Sequence, residues 1–199
     1  MVGTDRPPLG LRERKKAKTR AAIQHHALRL FREQGYDATT VEQIAEAAEI
    51  SPSTFFRYFP TKEEVVFYDD LDPLLIEAYE AQPPELTPIQ AMRGALRSVF
   101  DRLPAEEMEQ QQERGRLMLA VPELRMRMLD QLAGGLQLMS DLLKQRLGPD
   151  VDEFAVRTLA GAMLGALMSG MLAGVGNPHA DYMSLMDTSL AYLEAGLPV

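Results

Sequence analysis

The sequence contains no cysteine, which excludes a disulfide framework, a thiolate metal site and a cysteine nucleophile. This absence fits a protein of the reducing cytoplasm. The basic residues near the N-terminus are not followed by the apolar segment that a secretory signal requires. The phosphate-binding loop, the G-x-S-x-G elbow and the dinucleotide fingerprint are also missing. We therefore expect a cytoplasmic protein that is not an enzyme.

The titratable residues do not form a pattern typical of catalysis or metal binding. His25 and His26 are adjacent on a predicted helix, so their side chains point about 100° apart and do not chelate one ion well. His179 is distant in sequence, and the acidic stretch "EEMEQQQE" is typical of a solvated helix face. No catalytic residue, metal ion or cofactor is predicted.

Charge is distributed unevenly along the chain. The formal net charge is −8, yet residues 1–35 carry nine Lys or Arg and three acidic residues. The acidic excess lies after residue 62. Such asymmetry is typical of a basic module that binds a polyanion, attached to an acidic body. A solvated basic tail is the alternative interpretation, and charge alone does not separate the two.

Apolar periodicity and Pro or Gly punctuation predict an all-α protein of about nine helices, without sustained strand alternation. The first helix runs from about Glu13 to Gln34 and ends at Gly35. A short second helix follows "TT", and Ser51 and Pro52 start a third. The capping box "TKEE" starts a fourth, which the pattern continues to the prolines of "QPPELTP".

An uncharged segment covers residues 158–180 and approaches the roughly 20 residues that span a bilayer. It contains five glycines and has neither an aromatic belt nor Lys or Arg shortly downstream. Small residues such as Gly161, Gly165 and Ser169 suit close helix packing in a soluble bundle or across a dimer. We therefore predict a packed helix and no membrane partner.

The turn "AAEIS" joins helices two and three with the spacing of a helix-turn-helix. In that motif the N-terminus of the second helix enters the major groove of DNA. Ser51, Ser53 and Thr54 are slim and polar enough to read base edges there. Phe55 and Phe59, four residues apart, are expected to face inward. The residues expected on or near the outer face are then Phe56, Arg57 and Tyr58.

The stretch "TTVEQIAEAAEISPSTFFRYFPTKEEVV" resembles the DNA-binding signature of TetR-family transcriptional regulators. The resemblance implies phosphate contacts from Thr40 and Lys62, and a backbone contact from Tyr58. The sequence departs from the family pattern at Glu49, where glycine is usual, at Pro52 and Ser53, and at Phe56, where tyrosine is common. The expected DNA-binding residues are Thr40, Gln43, Ser51, Ser53, Thr54, Phe56, Arg57, Tyr58 and Lys62.

The resemblance further implies two domains. Residues 1–62 would bind DNA with a basic N-terminal arm, and residues 63–199 would bind a ligand and dimerise through the last two helices, about 151–175 and 181–195. Methionine adapts to irregular apolar ligands, and most of the twelve methionines lie after residue 91. The expected ligand-binding residues are Phe100, Met118, Met126, Met163, Leu167 and Met171.

Two hypotheses follow from these observations. The first is a dimeric repressor that binds a near-palindromic operator and is released by a hydrophobic small molecule. The C-terminal part faintly resembles TetR regulators that sense acyl-CoA-like ligands. The anionic groups of such a ligand would be bound by Arg114, Arg116 or Arg125. An exposed arginine without this role is the simpler interpretation of each. The second is a small-molecule-binding or membrane-peripheral protein whose basic N-terminus binds anionic lipid.

Overall fold

The structure, a computed structural model, describes residues 10–68, 71–174 and 180–198. The basic arm before residue 10 and the predicted helix end at residue 175 lie outside these residues. The described residues form α-helices and no strand, which confirms the all-α prediction. The helices are α1 Leu11–Gln34, α2 Val41–Ala47, α3 Pro52–Tyr58, α4 Lys62–Phe67, α5 Leu71–Glu80, α6 Pro88–Phe100, α7 Ala105–Ala120, α8 Pro122–Leu147, α9 Glu153–Ala173 and α10 Tyr182–Glu194.

The described residues contain ten helices, where the sequence predicted about nine, because the predicted fourth helix is two helices. Tyr68, just after α4, has extended backbone with φ −64° and ψ 120°. Gln24 of α1 donates from Nε2 to the carbonyl oxygens of Val65 and Tyr68, each at 2.8 Å, so these carbonyls have partners outside a helix. Pro73 lies in the first turn of α5, where its missing N–H costs nothing. A continuous helix would place that proline in its interior.

The chain divides into two compact units between Tyr68 and Asp69, six residues after the expected boundary at residue 62. The N-terminal unit contains α1 to α4, and α4 packs against α1 within it. The buried residues of this unit are Ile23, Ala27, Leu28, Phe31, Tyr36, Thr39, Ile44, Ala45, Phe55, Phe59, Val65 and Val66. On α1, Leu28 is buried and Leu30 is half-buried.

Side-chain caps start the three short helices of the N-terminal unit. The hydroxyl of Thr40 accepts from the N–H of Gln43, and the Gln43 side chain accepts from the N–H of Thr40, which completes a capping box. Ser51 caps α3, with Pro52 in the first turn, and Thr61 caps α4. A cap contributes about 1 kcal/mol, which matters for helices of six or seven residues.

The turn between α2 and α3 is a helix C-terminal motif built on a non-glycine residue. Glu49 has φ 55°, in the left-handed region. Its N–H donates to the carbonyl of Glu46, and the N–H of Ile50 donates to that of Ala45, at 3.0 and 2.9 Å. These two bonds are the Schellman pattern, in which the left-handed position favours glycine. The chain therefore tolerates positive φ at the position where the family commonly has glycine.

The C-terminal unit contains α5 to α10 around one apolar core. The N-terminal half of α7 is largely exposed, as its polar sequence suggested, while Gly115, Leu117 and Leu119 in its second half are buried. Helices α9 and α10 approach each other closely. A Cβ added at Gly170 would lie 2.7 Å from the backbone N and Cα of Met186. The core residues are Tyr79, Ala91, Met92, Ala95, Leu96, Met139, Leu142, Leu143, Val156, Ala160, Met163 and Leu190.

Candidate DNA interface and effector cavity

Helix α3 has an apolar inner face and a mixed outer face. Phe55 and Phe59 are buried at 0% and 1% exposure, which confirms that they face inward. Phe56 is 50% exposed, and Ser53 and Arg57 are exposed beside it. The ring of Phe56 lies edge-on to that of Phe55, with centroids 5.5 Å apart at 87°. This edge-to-face contact supports an exposed aromatic ring on a rigid part of the fold.

The tip of α3 presents three hydroxyl groups in one hydrogen-bonded cluster. Ser51 Oγ lies 2.9 Å from both Ser53 Oγ and Thr54 Oγ1, and it accepts from the N–H of Thr54 at 3.1 Å. Ser51 and Ser53 are exposed, and Thr54 is half-buried. Hydroxyl groups both donate and accept, so this tip can adapt to either kind of polar edge on a base.

The turn between α1 and α2 is fixed by amide side chains. Gln34 Nε2 donates to Gln43 Oε1 at 2.9 Å and to the hydroxyl of Thr39 at 3.2 Å. The hydroxyl of buried Thr39 donates to the carbonyl of Gly35 at 2.8 Å. Gln43 Oε1 therefore accepts twice within the protein, and the exposed Thr40 hydroxyl is held at the start of α2.

Lys62 is directed toward this same turn. Its ammonium donates to the carbonyls of Tyr36 and Thr39, at 2.9 and 3.1 Å, and lies 4.1 Å from the centroid of the Tyr36 ring. An ammonium has three N–H groups, so two of them serve contacts inside the unit. Lys62 consequently ties the start of α4 to the loop before α2.

Sequence reasoning did not single out a basic groove between the start of α1 and the end of α3. It measures about 530 Å³ and contains four cationic side chains and one acidic side chain. The Arg57 guanidinium lies 5.5 Å from the ring centroid of its neighbour Tyr58. The basic cluster was visible in the sequence, but its position beside α3 follows from α1 beginning at Leu11. The lining residues are Arg12, Glu13, Lys15, Lys16, Arg57 and Tyr58.

The C-terminal unit contains a cavity of about 320 Å³ among α5, α6, α7, α9 and α10. Its lining is mainly leucine and methionine, with five methionines. Tyr182 is buried beside it, and its hydroxyl donates to the carbonyl of Gly174 at 3.2 Å. The lining residues are Leu71, Asp72, Leu75, Leu96, Val99, Phe100, Met108, Gln111, Gln112, Gly115, Leu164, Leu167, Met168, Met171, Tyr182, Met183 and Met186.

The six expected ligand-binding residues are not all at this cavity. Phe100, Leu167 and Met171 line it. Met163 is fully buried in the core behind it, Met126 is 59% exposed on α8, and Met118 is half-buried on α7. Composition predicted a methionine-rich cavity but could not say which methionines line it, because that depends on how α7, α9 and α10 pack.

The three arginines considered as partners for an anionic ligand have partners within the protein, and that of Arg114 is the lining residue Gln111. Buried Arg114 donates to Gln111 Oε1, and Arg116 pairs with Glu113 at 3.1 Å. Arg125 donates to the carbonyl of Leu119 at 3.3 Å. None of the three is among the described residues that line the cavity.

An ion-pair network joins α6 to α10 beside the cavity. Arg93 pairs with Asp187 at 2.8 Å and with Glu194 at 2.7 Å, and Arg97 pairs with Asp187 at 2.6 Å. Hydrogen bonding from Arg93 holds the pKa of Asp187 below its ordinary value. Gln90 also donates to Glu194 at 2.7 Å, and with Arg93 it lowers the pKa of that carboxyl. The network fixes α10 against a helix that lines the cavity.

Apolar side chains remain uncovered on α9 and α10 in the single chain. Phe154, Leu172 and Tyr192 are 78%, 51% and 58% exposed. The small residues Gly161 and Gly165 lie on the exposed face of α9. By length and composition α9 is also long and apolar enough to cross a membrane, with 22% of its apolar window buried, which is weak evidence for such a role.

A capped helix pair with a slim, polar second tip and a basic flank defines the class of helix-turn-helix DNA-binding regulators. Residues 23–68 match the family described as bacterial regulatory proteins, tetR family, and residues 86–198 match the MftR C-terminal domain. The chain belongs to the TetR family of transcriptional regulators, which are not enzymes.

Two relatives are bacterial regulators. TcmR of Streptomyces glaucescens is 48% identical over 102 residues, which span 50% of this chain and 45% of TcmR. The chain thus matches about half the length of that relative. MftR of Mycobacterium tuberculosis, named for mycofactocin biosynthesis, is 28% identical over 166 residues, 79% of this chain and 82% of MftR.

Solved structures with the same fold include two regulators named FadR. FadR of Thermus thermophilus, in complex with lauroyl-CoA, has a TM-score of 0.53 at 22% identity and covers 90% of this chain and 95% of its own. The fatty acid degradation regulator FadR of Bacillus halodurans has a TM-score of 0.58 at 23% identity and covers 90% and 96%. At these identities the likeness concerns the fold.

Proposed function

We propose that this protein is a cytoplasmic, ligand-responsive repressor that binds a near-palindromic operator as a homodimer. The observation that carries this proposal is the division of α3, which buries Phe55 and Phe59 and leaves Ser53, Phe56 and Arg57 exposed. An exposed phenylalanine next to hydroxyl and guanidinium groups suits the floor of a DNA major groove better than it suits water.

The DNA contacts divide into base readers and backbone binders. Ser51, Ser53 and Thr54 offer hydroxyls to base edges, and Phe56 packs against a thymine methyl group or a sugar. Phosphate binding falls to Thr40, Arg57, Tyr58 and the basic groove on α1, since Arg57 and Tyr58 line that groove at the end of α3 and the Thr40 hydroxyl is exposed at the start of α2. Gln43 Oε1 and the Lys62 ammonium each make two hydrogen bonds at the turn before α2, so we expect these residues mainly to position Thr40.

The dimer contact is proposed on α9 and α10. Their uncovered side chains include Phe154, Leu172 and Tyr192, which a second copy would remove from water. Gly161 and Gly165 allow two helix backbones to approach closely, as a symmetric helical interface requires. Paired α3 helices would then read two half-sites about one DNA turn apart.

The effector site is proposed at the cavity lined by Phe100, Leu167 and Met171. A volume of about 320 Å³ with an apolar lining is within the range of small-molecule sites. The Thermus thermophilus FadR complex with lauroyl-CoA shows that a protein of this fold accepts a long apolar chain. Effector binding would shift the population between two dimer geometries, of which one fits the operator.

The test is operator selection from random duplexes, followed by titration at several salt concentrations. We expect a steep loss of affinity with salt, and a preference for the selected site of at least about a thousandfold over a scrambled duplex. Tyr58→Phe should weaken every duplex to a similar extent, whereas Ser53→Ala should change the preferred bases. Equal affinity for selected and scrambled duplexes would exclude the proposal.

A membrane-peripheral protein is the second candidate, because α9 is apolar and little buried while the start of α1 is basic. The discriminating measurement is sedimentation with vesicles of anionic and of neutral lipid, in the presence and absence of operator DNA. Vesicle binding that operator DNA does not compete away would favour this second function over the first.

A further inference from the structure

The cavity in the C-terminal unit has a charge character that restricts its occupant. None of its seventeen described lining residues is Lys, Arg or His, and the one ionisable carboxylate is the exposed Asp72. We propose that the cavity selects an uncharged apolar molecule and discriminates against a carboxylate or a coenzyme A thioester that carries the same chain. This inference rests on the proposed role of the cavity as an effector site.

The polar atoms at the cavity suit a neutral group. The Tyr182 hydroxyl donates to Gly174, and Gln111 accepts from Arg114, so both already have partners. Gln112 adds a neutral amide among the lining residues. An amide can donate to a carbonyl or accept from a hydroxyl, but it carries no charge to balance an anion.

Guanidinium groups on the helices that line the cavity have acidic or amide partners. Arg93 is held by Asp187 and Glu194, and Arg116 by Glu113. Redirecting Arg93 to a ligand would break its ion pairs with Asp187 and Glu194, and redirecting Arg116 would remove the partner of Glu113. Arg93 and Arg116 are therefore costly to redirect, and Arg114, which donates to the lining amide of Gln111, is not itself a lining residue.

The expected discrimination follows from the cost of burying an unpaired charge. A carboxylate that loses water without gaining a cation is unfavourable by several kcal/mol, so a fatty acid would enter as the protonated species. The thioester of an acyl-CoA is neutral, but its phosphates would likewise meet no cation among the lining residues. A hydroxyl on the same carbon chain loses much less hydration free energy than a carboxylate, and it can form a hydrogen bond with Gln112.

The test uses three ligands that share a ten-carbon chain, namely 1-decanol, decanoate and decanoyl-CoA. Calorimetry on the full chain at pH 8 should give at least tenfold tighter binding for decanol than for either anion. Lowering the pH from 8 to 7 should strengthen decanoate binding about tenfold and leave decanol unchanged, because the protonated fraction of the acid rises tenfold per pH unit.

A gain-of-function variant tests the same idea without disturbing the core. Gln112→Arg places a guanidinium at a half-buried lining position and should strengthen decanoate binding by roughly tenfold, with decanol little affected. Gln110→Arg is the matched control. It makes the same substitution on the same helix two positions earlier, about 200° around, at a residue that does not line the cavity.

Each outcome decides something. Decanoate or decanoyl-CoA binding as tightly as decanol to the unmodified protein overturns the selection for neutral molecules, while the cavity stays an effector site. Binding of none of the three overturns both the selection and the proposed role of the cavity. Sequence-specific binding to operator DNA is measured separately, so failure of that function would be recognised independently.

Discussion

The two units of the chain differ in what holds them in shape. In the N-terminal unit, short helices begin at hydroxyl caps, and amide side chains fix the turns through bonds such as Gln34 to Gln43. In the C-terminal unit, long helices pack through apolar side chains, and α9 leaves Phe154 and Leu172 uncovered. The first unit buries its apolar faces within itself. The second exposes apolar surface that a partner would cover.

This contrast teaches where the two units obtain their specificity. A helix tip that reads DNA must be positioned accurately in the free protein, and local hydrogen bonds can achieve this in a unit with few residues. A unit that is to respond to an effector needs more than one low-energy arrangement, which apolar packing around a cavity allows. The predictions below test whether the two units do behave differently, beginning with the largest effect.

Phe55→Ala should destabilise the N-terminal unit by about 3–5 kcal/mol, because it empties a fully buried ring site between α3 and the other helices. The C-terminal unit has its own core and should keep its stability. Hydrogen exchange resolved by peptide would show loss of protection before residue 69, with little change after it.

The neighbouring Phe56→Ala is the matched control for that substitution. Its ring is half-exposed, so stability should fall by less than about 1 kcal/mol, most of it from the lost edge-to-face contact with Phe55. Operator affinity should nevertheless fall by roughly tenfold through the lost apolar contact. If both variants lose stability equally, the division of α3 into inner and outer faces is wrong.

Gly170→Ala should destabilise the C-terminal unit by about 3 kcal/mol, at the upper part of the usual range for overpacking. The added Cβ would meet the backbone of Met186 at 2.7 Å, and backbone cannot move aside as a flexible side chain can. Chemical denaturation monitored by circular dichroism measures the loss.

Gly165→Ala separates packing within a chain from packing between chains. An added Cβ at Gly165 has nothing within 4 Å in the single chain, so helix propensity predicts a gain of about 0.5–1 kcal/mol in a monomer. If α9 forms the dimer contact, the same change should weaken dimerisation, measured by sedimentation equilibrium. A stabilised and fully dimeric Gly165→Ala protein would argue against Gly165 at the interface.

Asp187→Asn should cost the C-terminal unit about 1.5 kcal/mol at pH 7, since it removes the shared partner of Arg93 and Arg97. The folded pKa of Asp187 is depressed, mainly by the hydrogen bond from Arg93. Its contribution is therefore present above the unfolded pKa of about 3.9 and is lost as pH falls through the lower folded value. Urea unfolding across this acid range should show a smaller pH dependence in the variant.

Helix starts in the N-terminal unit could be predicted from sequence because short-range hydrogen bonds determine them. Two helix starts are predicted by side-chain caps that bond to a backbone N–H three residues later, namely Ser51 followed by Pro52, and Thr61 before an acidic turn. Helices α3 and α4 begin there. The inward placement of Phe55 and Phe59 follows from helical spacing alone. The missed break between α4 and α5 had its signal in Pro73, which a continuous helix would have buried in its interior.

The cavity was less predictable because its geometry depends on residues far apart in sequence. Composition does not distinguish Met126 from Met168, yet Met126 is on the surface and Met168 lines the cavity. Likewise, the role of Lys62 depends on the carbonyls of Tyr36 and Thr39, which no pattern around residue 62 reveals. Sequence thus predicted a methionine-rich cavity in this unit, while packing decided which residues line it.

The smallest expected effect concerns Glu49, which occupies the left-handed position of the Schellman turn with φ 55°. Glu49→Gly should stabilise the N-terminal unit by about 0.5–1 kcal/mol. Glycine removes the backbone strain of a non-glycine residue at positive φ, which contributes about 1–2 kcal/mol. The greater chain entropy of glycine in the unfolded state offsets part of that gain. Thermal unfolding monitored for this unit measures the difference.

Glu49→Ala distinguishes backbone strain from charge. Alanine removes the carboxylate but keeps a Cβ at positive φ, so its stability should stay near that of the unmodified protein if strain is the cause. Both substitutions also remove one negative charge from the turn before α3, so both should strengthen binding to all DNA sequences slightly and equally. Equal stabilisation by alanine and glycine would show that the carboxylate, and not the backbone conformation, limits the stability of this turn.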